Sequence, residues 1–120
     1  MLLDDGDRNG SRYLRPQTVR YAARSHNDSY DEAIRTHMNW GLGFIMGGGA
    51  HPDPDPRRRM LGWGGSSGTF AGMGMGTCMV WADRREELVT ALTCNVMADD
   101  NGLLERWGGI SNAVWDSLAG

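Results

Sequence analysis

The chain of 120 residues contains no lysine; all 12 of its basic residues are arginine. That absence excludes a P-loop, whose lysine reaches the phosphates of a bound nucleotide. Cysteine is nearly as scarce: Cys78 and Cys94 are too few for a disulfide scaffold. If a hairpin turns near Arg85 and Glu86, the two would lie about opposite each other on one face. A single bridge and a pair of small buried thiols both fit that arrangement. Positive charge is not in excess either. The net charge is -3, and Arg57, Arg58 and Arg59 form one short cluster rather than a basic field, so nucleic acid is set aside as a partner. No apolar run approaches membrane-spanning length, and the opening Met1-Leu2-Leu3-Asp4-Asp5-Gly6-Asp7 has acids where a secretory signal would be basic and then apolar. No membrane partner is therefore expected, and the chain as it stands reads as cytoplasmic.

What is present is a composition able to fold. Hydrophobic residues make up 40% of the chain and five are Trp, so it is not a disordered sequence. The 18 glycines leave it short of side chains and make backbone geometry important. Residues 1–15 are polar and read as a loop or an unanchored end. Pro16 opens "PQTVRYAARS", a short helix, since proline suits the first helical position and Val19, Ala22 and Ala23 form a small apolar stripe. Residues 25–37 stay polar and read as loop with some helix. "NWGLGFIMGGG" reads as one strand with Trp40, Leu42, Phe44 and Met46 on one side, ended by Gly47 to Gly49.

"HPDPDPRRR" has proline at every second position from Pro52 to Pro56 and reads as an exposed excursion. Two apolar runs, Met75 to Trp81 and Leu88 to Asn95, flank "ADRREE" and signal a hairpin. Leu103, Leu104, Trp107, Ile110, Val114, Trp115 and Leu118 then recur at helical spacing, with Gly108 and Gly109 as weak points. The fold class is α+β: an antiparallel sheet of about three strands with N-terminal and C-terminal helices on it, in one domain spanning 1–120.

Several short motifs fail on context. The alternating glycines of "TFAGMGMGTC" suggest backbone cradling of an anion, but a strand follows them where a dinucleotide fingerprint needs a helix. Gly64-Gly65-Ser66-Ser67-Gly68 matches G-x-S-x-G, yet no helix follows Ser66, and His26, His37 and His51 all precede it, the reverse of the α/β-hydrolase order. His51, Asp53 and Asp55 alternate as ligands might, but the intervening prolines favour a stiff solvated loop, and no second ligand cluster stands nearby. Neither a metal nor a cofactor is implied. Trp40, Trp81, Trp107 and Trp115 fall at core periodicities.

Four pieces in order along the chain resemble the C-terminal part of the serine β-lactamase-like family, which comprises class C β-lactamases, D-alanyl-D-alanine peptidases and related esterases. "YLRPQTVRYAA" is similar to the family's L-S-P-E-T-V-R helix start, and "NWGLGFIMGG" to its W-G-L-G-F strand. "TFAGMGMGTCMVWADRREELVTALTCNVM" resembles its third motif with the surrounding strands, and "RWGGISNAVWDSLA" its closing helix. The resemblance covers roughly residues 11–119. It implies acyl-serine hydrolysis of an ester, β-lactam or D-alanyl peptide in the parent.

The family's first motif, S-x-x-K, cannot occur in a chain without lysine. Its Tyr-centred second motif is not found around Tyr13, Tyr21 or Tyr30. Both belong to the part of the fold that would precede Met1, so the chain alone is expected to be inactive. The third motif, K-T-G or H-x-G, aligns by the spacing to Asp83 with Gly72-Met73-Gly74, Gly replacing Lys or His. Trp63-Gly64-Gly65 is a second choice that stands further upstream. The resemblance makes the backbone N–H of Met75 an oxyanion donor. It implies pairing with a missing N-terminal part; self-association as a non-catalytic module is the alternative.

Overall fold

The structure, a computed structural model, describes residues 1–48, 59–74 and 76–120, with Asn101 by its backbone alone. It contains a two-stranded hairpin, β1 (Asp7–Arg8) with β2 (Ser11–Arg12), followed by helix α1 (Pro16–Ala22). A meander follows: β3 (Asn27–Asp31), β4 (Thr36–Trp40), β5 (Ile45–Met46), β6 (Thr69–Gly74), β7 (Cys78–Asp83) and β8 (Leu88–Thr93). Helix α2 (Asp100–Ala119) closes the chain. The expected sheet of about three strands has six among the described residues, in the order β3-β4-β5-β6-β7-β8, every pairing antiparallel where its register is defined.

One of the extra strands, β3, and the start of β4 come from segment 25–37, read from its polarity as loop with some helix. Its residues are mostly exposed, so no apolar alternation marks them. The hairpin is set instead by Asp31. One carboxylate oxygen accepts from the backbone N–H groups of Ala33 and Ile34 in the turn, and the other from the Trp40 indole at 3.1 Å. The single strand expected over residues 39–47 is broken in two. Trp40 pairs with Ile45 across a turn that Gly43 completes at φ 78°, so β4 and β5 run in opposite directions.

Residues 1–15 are likewise not an unanchored end. Leu2 and Leu3 pack with Met46, Phe70 and Ala82 on one face of the sheet. Asp5 pairs with Arg20 of α1 and, at 3.2 Å, with Arg84 of the β7–β8 turn. The Arg20 hydrogen bond, reinforced by the arginine charges, holds the Asp5 carboxyl below the ordinary carboxylate range despite some desolvation.

The opposite sheet face carries the main core. Met38, Ile45, Ala71, Met79 and Trp81 meet Leu104, Trp107 and Trp115 of α2. Asp99 caps α2, its side chain accepting from the Gly102 N–H at 2.8 Å. The buried stripe runs Leu104, Trp107, Ser111, Trp115. Ile110 and Leu118, expected on it, are 37% and 53% exposed. Ser111 takes the place of an apolar residue because its hydroxyl donates to the Met60 carbonyl at 2.8 Å, while the Trp115 indole donates to Leu61 at 2.7 Å. Residues 59–65 are thereby strapped across α2.

The two cysteines are both free thiols and do not face each other. The β7–β8 register pairs Cys78 with Thr93, one residue short of Cys94. Because side chains alternate along a strand, that single step puts Cys78 on the outer face and leaves Cys94 packed against the core.

Candidate active-site wall

The glycine-rich segment forms β6 and the tight turn after it. Gly72 pairs with Val80, Met73 with Met79 and Gly74 with Cys78, all on β7. On its other side β6 pairs with β5 only at Phe70 and Ala71, because β5 is two residues long. Among the described residues, Gly72, Met73 and Gly74 therefore have no strand partner on that flank. Their alternation gives them different surroundings. Met73 packs against the main core, whereas Gly72 is exposed on the outer face, and a Cβ built on it would meet nothing within 4 Å. A Cβ on Gly74 would lie 2.9 Å from the Cys78 sulfur. Past Gly74 the chain turns through Gly76 at φ 72° and rejoins the ladder at Cys78, with the Thr77 N–H donating to the Gly74 carbonyl at 3.1 Å. Met75, the aligned oxyanion donor, lies outside the described residues. So do His51, Asp53 and Asp55.

Ser66 belongs to a different structure. Its hydroxyl donates to the Asp83 carboxylate at 2.9 Å and accepts from the Gly68 N–H at 3.1 Å. Thr69 hydroxyl donates to the same carboxylate oxygen, and the backbone N–H groups of Arg85 and Glu86 donate to the other at 2.8 and 3.1 Å. Asp83 is fully buried. Burial alone would raise its pKa, but the hydrogen bonds from Thr69, Ser66, Glu86 and Arg85 together outweigh burial and bring it below the usual carboxylate value. This hub clamps the β6 entry to the β7–β8 turn, and with it the register that places Gly72.

Trp63-Gly64-Gly65, the second choice for the third motif, sits on α2. The Trp63 N–H donates to Asn112 Oδ1 at 2.7 Å and its indole to Asp116 Oδ1 at 3.0 Å. Gly64 lies flat against Trp115, whose ring atom Cδ2 would be 2.5 Å from an added Cβ. Among the described residues, no three or more His, Cys, Asp or Glu side chains cluster as a metal site, and no helix is long and apolar enough to cross a membrane.

The fold is an antiparallel meander with the C-terminal helix across one face and Leu2, Leu3 and Ala23 against the other. Three solved structures share it. A penicillin-binding protein homolog from Caulobacter crescentus matches at TM-score 0.64 and 18% identity, covering 97% of this chain and 29% of its own. A β-lactamase from Mycobacterium bovis matches at TM-score 0.63 and 24% identity, covering 97% and 40%. A family VIII carboxylesterase matches at TM-score 0.53 and 21% identity, covering 92% and 28%. The chain thus spans between 28% and 40% of the length of these structures. No protein-family model matches the chain, and no curated protein matches it.

Proposed function

We propose that this chain is the C-terminal segment of a serine hydrolase of the β-lactamase type and supplies one wall of its acyl-transfer site. Gly72, Met73 and Gly74 lie along the substrate, and the Met75 N–H serves as an oxyanion donor. The observation that carries this reading is the free flank of β6, where the open space at Gly72 lets an ester, β-lactam or D-alanyl peptide approach the backbone. The fold shared with a penicillin-binding protein homolog, a β-lactamase and a carboxylesterase supports it. An oxyanion donor contributes about 3 kcal/mol, but only where a nucleophile creates the oxyanion. The nucleophilic serine, its lysine and the tyrosine motif belong to polypeptide outside these 120 residues. The chain alone is inactive. Incubation with a fluorophosphonate or a labelled penicillin, followed by intact mass spectrometry, gives no adduct; a stoichiometric acyl- or phosphonyl-serine overturns the reading.

A second reading, a non-catalytic module that self-associates, draws on the other edge of the sheet. β8 ends the sheet, no backbone hydrogen bond reaches it from beyond β7 among the described residues, and its six residues carry no charge. Val89 and Val80 on the outer face are 55% and 48% exposed. Such an edge pairs readily with another strand. A dimer in light scattering with a cooperative melt favours this module; aggregation or a broad, non-cooperative melt favours the segment.

A further inference from the structure

A cleft of about 100 Å³ opens where β4 parts from the remainder of the sheet. It lies toward the Thr69 end of β6, where the Gly47 N–H bonds to the Thr69 carbonyl, and none of Gly72, Met73 or Gly74 lines it. Met38, Ile45 and Leu104 are among its apolar lining residues, and Asp28, His37, Asn39 and Arg59 among its polar ones.

The polar wall is electrostatically incomplete. Among the described residues no carboxylate pairs with Arg59, and its Nε is buried without a hydrogen-bond acceptor. Asp28, also at the cleft, faces His37 at 3.3 Å. Asn39, whose Nδ2 donates to the Gly47 carbonyl at 3.3 Å, adds no charge to this lining. A partly buried guanidinium without a counter-charge is costly, and its planar fork matches a carboxylate. The space exceeds what one bridging water needs by several-fold, and the side chains of Met38, Ile45 and Leu104 give water nothing to bond.

We propose that this cleft binds a short-chain aliphatic carboxylate, with its head on the Arg59 guanidinium and its tail against Met38, Ile45 and Leu104. The site is separate from the wall at Gly72 and stands whether or not that wall serves acyl transfer.

Amide-resolved NMR of the full chain, titrated with butyrate and in parallel with butanol and chloride, tests it. Butyrate shifts the amides of Asn39, Gly47, Gly48 and Leu104 saturably, with a Kd of about 1 mM, while butanol and chloride do not. Arg59→Met weakens butyrate binding at least about tenfold. Asn39→Asp, which keeps the shape and places a negative charge beside the carboxylate, also weakens it and serves should Arg59→Met lose its dispersed spectrum. Absence of saturable shifts up to about 100 mM butyrate, equal shifts with butanol or chloride, or undiminished affinity in a folded variant overturns the proposal.

Discussion

The indole of Trp115 lies stacked on that of Trp81, ring centroids 5.0 Å apart and planes 20° from parallel, so a ring pair ties α2 to β7 in the centre of the sheet. Gly62 and Gly64 press on the same Trp115 ring, at which an added Cβ would come within 2.6 and 2.5 Å. A rigid indole held from both sides cannot move aside. Gly64→Ala is therefore expected to destabilise by about 2 kcal/mol through overpacking, and Trp115→Ala by about 4 kcal/mol through the cavity it leaves. Urea denaturation midpoints measure both. A Gly64→Ala chain as stable as wild type contradicts the packing described.

The Asp83 hub predicts how stability depends on acid. Its folded-state pKa is depressed, so its contribution is fully present above the unfolded value of about 3.9 and disappears as the pH falls through the lower folded value. Asp83→Asn is expected to lose part of the neutral-pH stability and to flatten the acid limb of the stability curve. Asp83→Ala strands two hydroxyls and two turn N–H groups and costs about 3 kcal/mol at pH 7. Thermal melts between about pH 2 and pH 7 read the effect. An acid limb of unchanged steepness in Asp83→Asn would place the acid sensitivity elsewhere, with Asp5 the next carboxylate to examine.

Gly72 sits in strand geometry with open space around its Cα, whereas Gly76 sits at φ 72°. Gly72→His is expected to fold with unchanged or slightly raised stability, within about 1 kcal/mol, since the new side chain reaches solvent and lowers the entropy of the unfolded chain. Gly76→Ala is expected to lose about 1 kcal/mol to backbone strain. Chemical denaturation of the pair decides it, and a destabilised Gly72→His would mean that the outer face at Gly72 is not open.

The readable parts of the fold were those with a local cause. Pro16 starts α1 where its fixed φ suits a first helical residue, and "ADRREE" separates the strands that became β7 and β8. The β3–β4 hairpin escaped notice because its strands carry almost no apolar period, and the residue that builds it, Asp31, works through hydrogen bonds rather than burial. Its signal was a lone Asp heading a turn. The glycines between Trp40 and Ile45 looked like alternation within one strand, although Gly43 reverses the chain there. At the site, counting back from Asp83 reached a strand position, and Gly72 does lie in β6. Its free flank was not legible, since it follows from the brevity of β5. Nor was the cleft, which depends on residues 36–39 and 59–63 approaching from separate stretches of chain.

The meander order bears on how the chain comes together. Each strand's partner is the next one along, and the longest gap between paired strands, from Met46 to Thr69, is bridged by one connection. Hairpins that close locally lose little loop entropy, so the sheet can grow strand by strand without waiting for a distant segment. Two pieces must travel: α2, carrying Trp107 and Trp115 back over Ala71 and Trp81, and residues 1–5, whose Leu2 and Leu3 reach Phe70 and Ala82. The rate at which Trp107 and Trp115 leave water therefore reports the docking of α2 onto a sheet already formed, and a strand order with a crossover would have made the sheet itself wait on a distant segment.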